Sequence, residues 1–428
     1  MRPPRLVILL AVVVFLLTAC QGTGSSGSPG ASGGGGNKGQ VKIGVDFPLS
    51  GNEVANGEPT LNGVQLAIDE ANAKGGVGGY TVASKITDDA KNGVHDPDTG
   101  ATNAKTQVAD DAVIGMVGPF NSNVARAEIP VTNEAGLAQC SPANTAVDLT
   151  KTGSEVYRPK NPTKRNYFRL AAPDDIQGPA MASYDYNDLR LTKVYILDDT
   201  EAFGKGVADQ FEAKFKDLGG TVVKRDGQKY SASVDYTALF TAAAALHPDV
   251  VYFGGTQVTG GGLARKQMIQ AGLNGPFTGP DGIADLGTGG SQGAFITLAG
   301  VENSHDVYGT VAGVHDLPGG STFASRYKAK FGKDPGAYSA LAYACTQVIL
   351  KAITDSAAKA SNMAALREAV RAYIFDPSHT YTTEIGQIGF TENGDIKQAY
   401  ISFYKVDPSA EGGKGGWVFI KQQAFEGT

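Results

Sequence analysis

Residues 112–125 read AVIGMVGPFNSNVA, and this stretch decides the fold. Ala112 to Val117 is apolar without alternation, as a strand covered on both faces requires. Gly118-Pro119 ends the run. Behind Ser122 a helical pattern extends to about 135 and stops at Gly136. A buried strand running directly into a helix is half of a βαβ unit. The helix start there presents unsatisfied N–H groups and about half a positive charge, which suits a carboxylate or phosphate. Ser122 is placed to cap this helix, and its hydroxyl is equally placed to face a ligand.

The same alternation extends on both sides of that stretch. Upstream, VKIGVDF (41–47) and YTVASKI (80–86) read as strands, with helices at 59–74 and 98–111. LAQCS (137–141) is a short fourth strand. A second series begins near Tyr167, with strands at 167–171, 193–198, 221–225, 249–254 and 276–279. Helices at 175–189, 204–218, 235–245 and 260–272 lie between them. Two such series predict two similar α/β lobes, each a parallel sheet flanked by helices. Helices at 321–331, 337–356 and 363–373 follow. Then EIGQIGF and IKQAYISFYKV flank Thr391-Glu392-Asn393-Gly394-Asp395 as a hairpin with an Asn-Gly turn.

The 428-residue chain is long enough for two cores. Its net charge of -6, with no basic block, gives nucleic acid no phosphate-binding surface. Residues 1–20 read as a secretory signal: two arginines, the apolar run LVILLAVVVFLL, then Leu17-Thr18-Ala19-Cys20. That ending resembles the bacterial lipobox, which implies a lipid on Cys20 and attachment to a membrane surface. Residues 21–40 are nearly all Gly, Ser and small polar types, a flexible tether. Cys140 and Cys345 remain. An oxidising compartment allows their disulfide, and their apolar surroundings equally suit two buried thiols.

The segments VKIGVDFPLSG, NGVQLAIDEANAKGGVGGY, VIGMVGPFNSNVARAEIPVTNEAG and SPANTAVDLT, in this order, resemble the substrate-binding lipoproteins of branched-chain amino acid ABC importers. These are type I periplasmic binding proteins. The likeness runs from about 41 to about 405. It implies two lobes joined by three crossovers and closing on an amino acid: 41–170 with 313–395, and 171–312 with 396–428. It implies that Ser122, the Ala143 carbonyl and Thr145 hold the ligand's carboxylate and ammonium. Phe203, Thr256 and Asp281 face them from the second lobe, Asp281 accepting from the ammonium. Near Ser50, where relatives often place an aromatic, this chain has Asn56. Phe203 and Thr256 stand where some relatives have tyrosine, and Tyr338 supplies an aromatic wall instead. The side-chain pocket is therefore expected to be more polar than leucine favours. Implied partners are a small-molecule ligand, the membrane through its anchor and an ABC permease, with the protein itself a monomer. A sensor on the same fold, or a component for an amide, urea-like or aromatic acid ligand, is the alternative.

Other chemistry lacks its context. Gly289-Gly290-Ser291-Gln292-Gly293 has the spacing of a nucleophile elbow but no strand before it. The five histidines show no zinc spacing, and no phosphate-binding loop is present. Asp96-Pro97-Asp98-Thr99-Gly100 lacks the later ligands of a calcium loop and reads as a solvated turn. Asp88-Asp89 and Asp198-Asp199 end strands, where they are positioned to orient pocket groups. No enzyme activity, cofactor or metal is expected.

Overall fold

The computed structural model describes residues 38–426. The signal segment with Cys20, and most of the tether, lie outside them. Five strands form a first sheet: β1 (Gln40–Phe47), β2 (Thr81–Asp88), β3 (Val113–Val117), β4 (Ala138–Ser141) and β5 (Tyr167–Arg169). They run in the order β2-β1-β3-β4-β5, all parallel. Every residue of β3 is buried, because helices cover both faces of the sheet.

Seven strands form the second sheet: β6 (Lys193–Asp198), β7 (Thr221–Gly227), β8 (Val250–Gly254), β9 (Phe277–Gly279), β10 (Val307–Val311), β11 (Gln398–Asp407) and β12 (Gly416–Glu426). Their order is β12-β11-β10-β9-β8-β6-β7. The strands β6 to β10 are parallel; β11 and β12 are antiparallel additions at one side.

Helices α1 (Val54–Ala73), α2 (Pro97–Val108) and α3 (Ser122–Glu134) connect strands of the first sheet. Those of the second are α4 (Asp174–Ser183), α5 (Ala202–Asp217), α6 (Thr237–Ala244), α7 (Gly262–Gln270) and the short α8 (Phe295–Ala299). The chain then returns with α9 (Phe323–Phe331), α10 (Ser339–Ser356) and α11 (Met363–Ile374) to complete the first lobe. Cys345 on α10 is joined to Cys140 on β4 by a disulfide. Arg367 on α11 donates to the Val113 carbonyl at 3.0 Å.

The chain passes between the lobes three times, after β5, after β10 and before β11, and the crossings lie side by side. The Ala172 N–H donates to the Ala312 carbonyl at 3.1 Å. The Ser402 hydroxyl donates to the Gly313 carbonyl at 2.8 Å.

The structure departs from the sequence reading at several elements. Helix α1 begins at Val54 and runs through Pro59 instead of starting there, and the Thr60 hydroxyl donates to the Asn56 carbonyl at 2.7 Å. The Tyr167 strand belongs to the first sheet, pairing with β4, and does not open the second series. The hairpin at 391–395 is reduced to a single bridge between Phe390 and Ile396. Its turn is used otherwise: the Gly394 carbonyl accepts from the Arg169 N–H, and Asp395 forms a buried ion pair with Arg169 at 2.6 Å. Gly394 has φ +96, and a Cβ there would meet the Tyr167 carbonyl at 2.5 Å. Strands β10 and β12 extend the second sheet beyond the five that periodicity marks. Asp96 is no solvated turn: it caps α2, accepting from the Thr99 N–H at 2.8 Å.

Candidate functional site

In open α/β sheets a crevice forms at the carboxyl ends of strands where the strand order reverses. Here the reversals fall between β1 and β3 and between β6 and β8. Between the lobes lies a cavity of about 30 Å³. The loops after β3 and β4 bring Ser122, Ala143 and Thr145 to it. Those after β6, β8 and β9 bring Phe203, Thr256 and Asp281, and the start of α10 brings Tyr338. Asn56, in the first turns of α1, is not among its lining residues.

Local structure fixes each group. The N-cap of α3 is Asn121, not Ser122, and its side chain makes no capping bond. Ser122 instead accepts from the Ala146 N–H at 3.3 Å, which ties α3 to the loop after β4. That loop is shaped by Ser141, whose Oγ accepts from the Asn144 N–H at 2.9 Å and donates to the Pro119 carbonyl at 2.8 Å. Thr256 exchanges hydrogen bonds with Thr259 in a capping box. The Phe203 ring packs on Gly282, where a Cβ would approach it to 2.7 Å.

Asp281 is buried, and Gln177 holds its backbone N–H at 2.8 Å. The Tyr338 hydroxyl, from the first lobe, donates to Asp281 Oδ2. Oδ1 is buried with no partner among the described residues. Burial pushes this carboxyl up to about 6, against the hydrogen bond from Tyr338. Near neutral pH it is therefore a desolvated anion with one oxygen uncommitted, a strong acceptor for a cationic N–H.

The cavity is also lined by His95, Phe120, Asn121, Asn123, Glu201 and Gly282, which sequence reasoning does not mark. Phe120, Asn121 and Asn123 flank Ser122, so their signal was adjacency. Glu201 lies two residues before Phe203. His95 gives no signal, because a small hairpin (Ala90–Lys91 with Val94–His95) carries it to the cleft. Ser291 lies on a loop across the interface, where the neighbouring Gln292 donates to the Gly51 carbonyl at 3.0 Å. No helix among the described residues is long and apolar enough to cross a membrane.

The sequence model of the periplasmic binding protein family matches residues 40–414. The chain belongs to that family. Leu/Ile/Val-binding protein BraC3 of Rhizobium johnstonii is 32% identical over 370 residues, spanning 85% of this chain and 91% of that protein. Among solved structures, the branched-chain amino acid transporter substrate binding protein LivJ of Streptococcus pneumoniae, in complex with isoleucine, superposes with TM-score 0.71 at 23% identity. It covers 89% of this chain and all of LivJ. A solute-binding protein of Rhodopseudomonas palustris in complex with 4-hydroxybenzoate gives 0.72 at 18% identity, covering 90% of this chain and 97% of that one. Like other periplasmic binding proteins, this one has two lobes of parallel sheet and helices around a cleft.

Proposed function

We propose that this protein captures an amino acid, branched-chain or a related small one, outside the cytoplasm and delivers it to an ABC permease. The observation that carries the reading is the buried Asp281 with its uncommitted Oδ1, in the same cavity as the Ser122 and Thr145 hydroxyls. A zwitterion needs an anionic acceptor for its ammonium and hydroxyl or N–H donors for its carboxylate, and these groups supply both. Drawing them from both lobes makes closure depend on the ligand, a hinge mechanism with no covalent step. The lobes are 41–170 with 313–395 and 171–312 with 396–428. The Leu/Ile/Val-binding name of the Rhizobium relative supports the ligand class. The lipobox-like Leu17-Thr18-Ala19-Cys20 supports anchoring through a lipid on Cys20, with the body a tethered monomer.

The Rhodopseudomonas relative favours a second reading, an aromatic acid, and Phe120, Phe203 and Tyr338 give the cavity aromatic walls. Such a ligand offers Asp281 no cation, which places it second. Thermal unfolding against amino acids, amides and aromatic acids separates the two. A ligand at about 100 times its dissociation constant stabilises the folded state by about 2.7 kcal/mol. Shifts with amino acids are expected; shifts with aromatic acids alone would replace this reading by the second.

A further inference from the structure

The cavity holds another polar cluster besides the Asp281–Tyr338 pair. Glu201, from the second lobe, meets His95 and Asn123 of the first. His95 Nε2 donates to Glu201 Oε2 at 2.9 Å, and Asn123 Nδ2 donates to the same oxygen at 3.1 Å. The other ring nitrogen, Nδ1, donates to Glu53 at 2.8 Å. With a carboxylate on each nitrogen, both carry hydrogen and the ring is an imidazolium. His95 is 7% exposed and Glu53 1%, so this chain of charges is fixed inside the protein. Asp199 Oδ1 accepts from the Glu201 N–H at 2.9 Å, and Asp199 Oδ2 accepts from the Thr259 hydroxyl at 2.6 Å. The backbone beneath Glu201 is thereby held as well.

Two donors occupy Glu201 Oε2, while its Oε1 has no partner among the described residues. Asn121, 8% exposed, lines the same cavity, and its Oδ1 is buried without a partner. Asp281 serves an ammonium, and Ser122 and Thr145 serve a carboxylate. The polar atoms then left over include two acceptors, Glu201 Oε1 and Asn121 Oδ1, beside the Asn121 NH₂.

We propose that Glu201 selects the ligand's side chain, and that the ligand is an amino acid with a small side chain ending in a hydroxyl or amide N–H donor. This rests on the amino-acid reading above and narrows it. An aliphatic side chain would strip water from Glu201 and Asn121 and return no hydrogen bond, which is the costly case. A site built around a hydrogen bond rejects the analogue that lacks it far more strongly than an apolar pocket rejects a change of size.

Titration calorimetry of the full chain in detergent, with two near-isosteric pairs, tests this. The pairs are threonine against valine and asparagine against leucine. In at least one pair the polar member is expected to bind about tenfold tighter or more. In Glu201→Gln the amide oxygen is drawn toward His95 and Asn123, which puts an NH₂ where Oε1 stands and turns the acceptor into a donor. The polar-to-aliphatic ratio is then expected to fall close to one. A wild-type protein that binds valine and leucine as tightly as their partners overturns the proposal without any variant and leaves the amino-acid reading standing. An unchanged ratio in folded Glu201→Gln removes Glu201 as the determinant. No heat with any amino acid overturns the underlying reading and this inference with it.

Discussion

Asp281 shows how one residue's surroundings set its role. Burial raises its carboxyl to about 6, yet the hydrogen bond from Tyr338 keeps it from rising further. Above that value it is the anion an ammonium needs; below it, the proton removes the charge. Amino-acid affinity is therefore expected to be level above about pH 7 and to weaken about tenfold per unit below about pH 6. Calorimetric titration across pH checks this, and a flat affinity down to pH 5 would take Asp281 out of ammonium recognition. Asp281→Ala is expected to lose about 2–5 kcal/mol of binding. Ser122, Thr145 and Asp281 are legible in the sequence because the family resemblance marks them, each just past a predicted strand. His95 is not, since 106 residues separate it from the Glu201 it contacts and only folding brings them together.

At the level of elements, the β3–α3 unit follows from its own sequence. Its buried strand, Gly-Pro corner and amphipathic helix need no distant partner to be specified. The turn at 391–395 is the opposite case. Asn393-Gly394 favours a hairpin locally, but Asp395 instead meets Arg169 in a buried ion pair and the ladder stops. The cysteines are a third case, because pattern leaves thiols and disulfide equally open. The structure settles it by placing Cys140 of β4 against Cys345 of α10, a pairing across 205 residues that pins the returning helix to the first sheet. Closing so long a loop restricts the unfolded chain, so replacing both cysteines by serine is expected to cost about 2–5 kcal/mol. Denaturant unfolding measures it; an unchanged midpoint would show that packing of α10 alone holds it there.

Across the whole molecule, several carboxyls are buried and raised by that burial: Asp185 to about 8, Asp199 to about 7 and Asp285 to about 6. A group raised in the folded state contributes stability that is complete below its unfolded value, near 4, and is lost as pH rises through the folded value. His95 has the same sign. Burial opposes its charge, but Glu53 and Glu201 outweigh that and raise it. Stability is thus expected to fall from pH 5 to pH 9, by roughly 1 kcal/mol per unit for each group in its range. Asp185→Asn, which keeps a partner for Thr278, should flatten the part of the fall below pH 8. Stability that climbs over that interval would contradict these assignments.

The sequence by itself determined the α/β class and the two series of strands and helices, and the family resemblance marked Ser122, Ala143, Thr145, Phe203, Thr256, Asp281 and Tyr338 around the cleft. Periodicity and turn chemistry are local, and strand ends are where such sheets bind ligands. Tertiary structure alone decided that the two cysteines are joined and that His95 and Glu53 stand behind Glu201. These depend on crossings between lobes and on contacts across more than a hundred residues, which no local pattern encodes.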